Sequence, residues 1–175
     1  MPRVASESLQ RTDREQAFDV FAGPRLDRAY GLARRLVGDH DAEDACQEAL
    51  LAAWSAWPRL RDQNRFDAWF DRILVNACIE LLRRRARRPQ TTLDDGPGLV
   101  RTDAATGSAE HDAMARALAR LSPEHRAAVV LRFWADLTTD AIADRLGVPA
   151  GTVRSRLHYA LDALRADLGR EVTDE

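Results

Sequence analysis

Apolar side chains recur every three or four positions along most of this chain, with charged and polar residues between them. This spacing puts the apolar side chains on one face of a helix, which can then pack against neighbouring helices. Most of these residues are Leu, Ala and Val, and the chain has no convincing run of alternating β-branched residues of the kind that favours strands. The pattern therefore predicts an all-α protein.

The first helical pattern covers residues 17–37. Gly23 and Pro24 fall inside it and are expected to interrupt it, because proline suits the first turn of a helix but not its interior. Gly38 follows the last apolar position and is expected to end the pattern.

The next pattern forms a regular amphipathic run. We expect Asp41 to cap its N-terminus, Asp44 to lie in its first turn and Pro58 to end it. Its apolar face consists of Ala45, Ala49, Leu50, Ala53, Trp54 and Trp57.

A third helix is predicted to begin after Asn64 and to end in the basic run RRRARRP. Trp69 and Phe70 lie on its apolar stripe, so we expect both rings to be core residues rather than platforms on which bases stack. The rest of the stripe consists of Phe66, Ile73, Leu74, Ala77, Cys78 and Leu81.

The segment PQTTLDDGPGLVRTDAATGSAE holds turn formers, small residues and acids without periodicity, which is typical of a flexible linker. It predicts two small helical domains on either side. We expect a disordered N-terminus over 1–16, a first domain over 17–88, the linker over 89–110, a second domain over 111–168 and a tail over 169–175.

The second domain contains two helices separated by a very short turn. Ser122 can cap a helix that has Pro123 in its first turn. Two further helices are then predicted, over 138–146 and about 149–168, with Gly147 between them to supply the left-handed backbone of a tight turn. A short helix, a tight turn and a longer helix form a helix-turn-helix.

The two helices of this motif have an apolar seam and one polar outer face. The polar face lies near the start of the last helix, the part that such motifs insert into the major groove, and it favours DNA binding over a merely solvated surface. The seam consists of Ile142, Ala143, Leu146, Val148, Val153 and Leu157, and the outer face of Thr152, Arg154, Ser155, Arg156, His158 and Tyr159.

Composition and charge narrow the function without identifying it. The formal net charge is −2, so any DNA site must be a local patch, and every basic residue is Arg, whose planar donors suit phosphate and guanine. No apolar run approaches the roughly 18 residues of a membrane span, and the start lacks the apolar core of a signal peptide, so we expect a cytoplasmic protein.

Enzyme chemistry is not indicated. Cys46 and Cys78 lack ligand-like neighbours and are expected to be small buried residues, and no phosphate loop or nucleophile motif occurs. The histidines, scattered along the chain, are His40, His111, His125 and His158. We expect no catalysis, no metal and no cofactor.

The segment LTTDAIADRLGVPAGTVRSRLHYALDALR resembles region 4 of extracytoplasmic-function sigma factors, bacterial transcription initiation factors of the sigma-70 family. In that family this helix reads the minus-35 promoter element. The resemblance implies that the minus-35 contacts are Thr152, Arg154, Ser155, Arg156 and His158.

Two segments of the first domain resemble region 2 of the same family. DHDAEDACQEALLAAW is similar to region 2.2, which docks on core RNA polymerase, and this implies docking by Asp41, Asp44, Gln47 and Glu48. NRFDAWFDRILVNACIELLRRRARR is similar to regions 2.3 and 2.4, which capture and melt the minus-10 element. The implied minus-10 contacts are Arg61, Asn64, Arg65, Asn76, Arg83 and Arg84.

The resemblance implies an alternative sigma factor whose partners are core RNA polymerase, promoter DNA and an anti-sigma factor. Three features depart from the family pattern, namely the Gly23-Pro24 break, Glu80 in place of Asp, and Tyr159 where a basic residue is common. One alternative stays open, a helix-turn-helix regulator that acts without becoming a polymerase subunit.

Overall fold

A computed structural model describes residues 14–87 and 109–171 of the 175-residue chain, and both segments are built from helices. The first module, residues 14–87, contains α1 (14–22), α2 (Leu26–Val37), α3 (Asp39–Ala56) and α4 (Phe66–Arg87). The second module, residues 109–171, contains α5 (Ala109–Arg120), α6 (Pro123–Phe133), α7 (Thr139–Leu146) and α8 (Ala150–Glu171). No strand occurs within these two ranges, and the all-α prediction is confirmed.

Short 3-10 turns separate the helices of the first module. One of them, Gly23–Arg25, lies between α1 and α2, where proline is expected to interrupt the first pattern. Two others, Trp57–Arg59 and Gln63–Arg65, lie between α3 and α4.

The boundary between α2 and α3 is a single residue, Gly38. Its φ of 87° lies in the region that favours glycine, and its backbone N–H donates to the carbonyl of Arg34 at the end of α2. The prediction that Asp41 caps α3 is wrong, because Gly38 both ends α2 and caps α3. Asp41 instead lies in the first turn and Asp44 beyond it, and the Asp41 side chain is buried.

Alanines allow α3 to lie close to its neighbours in the first module. Ala42, Ala45, Ala49 and Ala53 are completely buried along one stripe. The end of this core is filled by aromatic rings, with Phe66 at its centre; its ring centroid lies 5.7 Å from Phe70 and 5.8 Å from Trp57. These contacts fix the start of α4 and therefore the direction of the arginine-rich end.

Side-chain caps and one glycine define the second module. The hydroxyl of Ser122 accepts a hydrogen bond from the N–H of His125 at the start of α6, and that of Thr138 accepts one from Ala141 at the start of α7. Gly147 ends α7 with a φ of 65°, as the predicted tight turn requires. The helix-turn-helix is therefore present, with Ile142 and Val153 fully buried in its seam.

The helices extend a few residues beyond the predicted segment boundaries. Residues 14–16, which we expect to be disordered, are helical, and α8 continues into the predicted tail as far as Glu171. Helix α5 begins at Ala109, two residues before the predicted start of the second domain at residue 111. The rest of the linker and residues 1–13 lie outside the described residues.

The two modules pack against each other, which no periodicity in the sequence indicates. Buried residues from both modules belong to one continuous hydrophobic cluster. Arg126 of α6 is buried and donates one hydrogen bond to the carbonyl of Leu36 at 2.9 Å and another to that of Ala119 at 2.6 Å. Burial lowers the pKa of Arg126 to about 10. Within the described residues, no helix is long and apolar enough to cross a membrane.

Candidate polymerase and nucleic-acid interfaces

Helix α3 carries an exposed acidic and amide face. Asp44, Gln47 and Glu48 are exposed on it, and the amide of Gln47 donates to the carboxylate of Glu43 at 3.2 Å. Glu43 is exposed as well and lies one turn before Gln47. The face therefore includes Glu43, a carboxylate that is not among the predicted docking residues.

Asp41 differs from the other three predicted docking residues, because its side chain is only 7% exposed and is paired within the module. The guanidinium of Arg85 lies 2.5 Å from its carboxylate. A buried carboxylate is tolerated when it is paired in this way. The geometry gives Asp41 a structural contact and leaves its predicted contact with polymerase untested.

Two arginines near the end of α4, Arg84 and Arg85, form ion pairs with acids of α3. Arg84 donates to the carboxylate of Glu48 at 3.0 Å, about two helical turns along α3 from Asp41. One predicted docking acid, Glu48, and one predicted minus-10 arginine, Arg84, thus pair with each other.

The loop before α4 presents its predicted DNA contacts to solvent. Arg61, Asn64 and Arg65 are all exposed, and the Asp62 carboxylate accepts from the backbone N–H of Asn64 at 3.0 Å. This short hydrogen-bonded turn fixes the backbone of the loop. By contrast, Trp69 is half-buried against the core ring of Phe66, as expected for a packing residue.

On α8 the predicted DNA-contacting residues differ in exposure. Arg154, Ser155 and His158 are exposed, whereas Thr152 and Arg156 are half-buried. The Ser155 hydroxyl donates to the Thr152 carbonyl at 2.9 Å. Arg154 and Arg156 lie two residues apart and diverge around the helix, as their spacing predicts.

Arg156 lines a cleft between the two modules. The cleft has a volume of about 360 Å³ and is also lined by Asn76 and Arg83 of α4 and by Glu124 of α6. Arg83 donates to the Glu124 carboxylate at 2.5 Å. Burial by itself raises the pKa of Glu124, but its backbone hydrogen bond and the arginines Arg83 and Arg156 outweigh this effect and lower it.

The two thiols are not placed for chemistry. Burial raises the pKa of the half-buried Cys46 to about 11, and burial raises the pKa of the fully buried Cys78 further. Among the described residues no group of three or more histidines, cysteines or carboxylates could hold a metal ion.

Two protein-family models match this chain, one to each module. The model for sigma-70 region 2 matches residues 23–88, and the model for sigma-70 region 4 matches residues 117–166. The matched segments contain all the residues discussed above as polymerase or DNA contacts.

Similar proteins extend over most of the chain. The RNA polymerase sigma-E factor of Streptomyces coelicolor is 36% identical over 152 residues, covering 86% of this chain and 85% of that protein. The extracytoplasmic-function sigma factor SigL of Mycobacterium tuberculosis is 38% identical over 143 residues, covering 78% and 80%.

Two solved structures are similar in fold over both modules. The sigma factor CnrH, in complex with the cytosolic domain of CnrY, matches with a TM-score of 0.64 and 25% identity, covering 89% of this chain and 90% of that one. The sigma factor RpoE of Bartonella quintana, in complex with the anti-sigma factor NepR, matches with a TM-score of 0.64 and 24% identity, covering 90% and 97%.

Proposed function

Because this chain belongs to the sigma-70 family, as an alternative sigma factor of the extracytoplasmic-function group, we propose that its two modules divide promoter recognition between them. The observation that carries this division is the presence in one chain of an exposed acidic face on α3 and a helix-turn-helix with exposed arginine on α8. The role is one of binding and positioning, with the chemistry left to polymerase.

The second module contacts the duplex at the minus-35 element. The start of α8 enters the major groove, where Arg154 and Ser155 are free of packing and reach base edges or phosphates. The other proposed minus-35 contacts are Thr152, Arg156 and His158. Arginine is suited to this task because its fork of donors matches guanine and phosphate alike.

The first module docks on core RNA polymerase and contacts the minus-10 element. Asp44, Gln47 and Glu48 form the docking surface, for which a basic partner surface is the electrostatic complement. Cations and amides on the α3 to α4 loop and on α4 track the separated strand. They are Arg61, Asn64, Arg65, Asn76, Arg83 and Arg84.

The partners of this sigma factor are core RNA polymerase, promoter DNA and an anti-sigma factor that restrains it. Support for the last comes from two proteins of similar fold that were solved with a bound partner. They are CnrH, with the cytosolic domain of CnrY, and the sigma factor RpoE, with the anti-sigma factor NepR. We propose that the protein acts in the cytoplasm, where polymerase and promoter meet. A helix-turn-helix regulator independent of polymerase is not favoured, because residues 23–88 match sigma-70 region 2.

The test is transcription in vitro with core polymerase, the full chain and a library of genomic fragments. We expect a small set of fragments to be transcribed only when the chain is present, and these to share two sequence elements at a fixed spacing. Failure to bind core polymerase together with failure to initiate from any fragment would contradict the proposal.

A further inference from the structure

The outer face of α3 changes character halfway along the helix. Its first half is polar, and the residues exposed there are Glu43, Asp44, Gln47 and Glu48. Residues 49–56 then read ALLAAWSA and contain no charged side chain. A helix face that stays in water normally carries charged and polar residues, so the second half of this face is unusual for a surface that only meets solvent.

Leu51 has the largest exposed side chain of this uncharged half. It is 68% exposed and does not belong to the hydrophobic core, whereas its neighbours Leu50 and Trp54 pack against that core. Ala52 and Ser55, the other exposed residues there, are small. A single exposed leucine is common on protein surfaces and has no functional meaning by itself. Leu51 is distinguished by its position relative to the docking residues.

Leu51 directly follows the proposed docking residues on the same face of α3. It comes seven residues after Asp44, four after Gln47 and three after Glu48. Side chains at these spacings lie one above another along a helix. The four side chains therefore form one continuous strip, polar at its start and apolar at its end. A partner surface that covers Gln47 and Glu48 also covers Leu51.

The hydroxyl of Ser55 does not make the apolar end of the strip polar. It donates to the carbonyl of Leu51, 2.9 Å away in the preceding turn. Its hydrogen is already used within the helix, so a partner surface does not have to offer an acceptor at this point. Leu51, Ala52 and Ser55 can therefore lose their contact with water without leaving a donor unpaired.

The acids of the polar half already have partners within the first module. Glu48 accepts from Arg84 at 3.0 Å, and Glu43 accepts from Gln47 at 3.2 Å. A cation of the partner must compete with Arg84 for Glu48, which reduces the affinity gained from that contact. Exposed charges mainly accelerate association and add little affinity. Burial of Leu51 meets no such competition.

We propose that Leu51 is the apolar anchor of the docking face and becomes buried in an apolar pocket of core polymerase, beside a basic surface that meets the acids of α3. An apolar centre with polar residues around it is the usual composition of a protein interface. This role for Leu51, which is not among the predicted docking residues, rests on the proposed function because its partner is core polymerase. The acids then set the rate of association, and Leu51 sets the rate of dissociation.

The test measures binding of the full chain to immobilised core polymerase by surface plasmon resonance. Leu51→Ala removes the end of the side chain, whereas Leu51→Met keeps its volume and apolar character. Alanine and methionine are both good helix formers, so neither variant should disturb α3 at this exposed position. Val20→Ala is the matched control, since Val20 of α1 is 70% exposed and is not one of the proposed docking residues.

We expect Leu51→Ala to dissociate from core polymerase about tenfold faster, because burying most of a leucine side chain contributes a factor of that order. Its association rate and the dependence of its affinity on salt should stay unchanged, since no charge is altered. Leu51→Met should retain most of the affinity, and Val20→Ala should bind as the unaltered chain does. Asp44→Asn should show the opposite pattern, with slower association, weaker salt dependence and nearly unchanged dissociation.

Unchanged dissociation of Leu51→Ala would overturn the proposed anchor and leave Leu51 as a solvated surface residue. Equal losses in Leu51→Ala and Val20→Ala would also overturn it, because any exposed apolar side chain would then have the same effect. If Leu51 instead joins two copies of this chain, Leu51→Ala would lower the mass of the free chain in analytical ultracentrifugation without changing its binding to polymerase. Failure of the proposed function gives a different result, since the unaltered chain would then not bind core polymerase at all.

Discussion

Arg85, near the end of α4, holds the carboxylate of Asp41 at 2.5 Å, although the two residues lie 44 positions apart. Asp41 is buried in the first turn of α3 and Arg85 is partly exposed. The pair ties the start of the docking helix to the arginine-rich end of α4. A residue that the motif assigns to polymerase binding thus also stabilises the fold.

Asp41→Asn is expected to lower the free energy of unfolding by about 1–3 kcal/mol, because Arg85 loses a charged partner and a buried polar group loses its best donor. Urea unfolding followed by circular dichroism measures this change. The matched variant Glu43→Gln alters an exposed residue of the same helix and should change stability by no more than about 0.5 kcal/mol. Equal stability of the two variants would contradict a structural role for Asp41.

Asp44→Arg is expected to weaken binding to core polymerase by about tenfold while leaving stability nearly unchanged. Asp44 is exposed on the proposed docking face, where reversing one charge opposes a basic partner surface and mainly slows association. Titration of labelled core polymerase measures the affinity. Asp19→Arg is the control, since it reverses an exposed acid on α1 that is not one of the proposed docking residues. Equal losses in both variants would indicate general electrostatics instead of a docking face.

Gly147→Ala is expected to destabilise the second module by about 1–2 kcal/mol, because a side chain at positive φ is strained. At Gly147, whose φ is 65°, an added Cβ would also lie 2.9 Å from the Arg72 guanidinium. Thermal unfolding measures the effect. Gly151→Ala is the matched control: only Arg154 lies near its Cβ position, at 3.9 Å, so we expect no loss of stability there. A neutral Gly147→Ala would show that the turn tolerates another backbone.

The helices, their caps and their turns are predictable from the sequence because they depend on interactions between residues close together in the chain. Ser122 and Gly147 each act within a few residues, and the structure has them in their expected roles. The misassigned cap shows the limit of such reasoning. Asp41 resembles a cap in sequence, but Gly38 already provides the boundary, and the carboxylate is instead used by an arginine far away in the chain.

Contacts between the modules could not be predicted, because they join residues with no periodic relation. In the sequence, Asp71 is one polar position on a largely apolar helix. Nothing near it in the sequence predicts its hydrogen bond with Arg145, 74 positions later. The exposed part of the candidate site was predictable from the motif residues. The packing of the modules decides which of these residues line the cleft. Arg156 lines it and Arg154 does not.

Replacing Arg154 and Arg156 together by alanine is expected to reduce use of the minus-35 element by tenfold or more, since each base or phosphate contact contributes about 1–3 kcal/mol. Transcription from matched promoters with and without that element measures the loss, and binding to core polymerase should stay unchanged. The single variants then separate the roles, because losing a phosphate contact lowers the slope of affinity against salt by about one, whereas losing a base contact relaxes sequence preference. Arg165→Ala, which removes an exposed arginine further along α8, should change neither quantity. If the double variant lost polymerase binding instead, the division of tasks between the modules would be wrong.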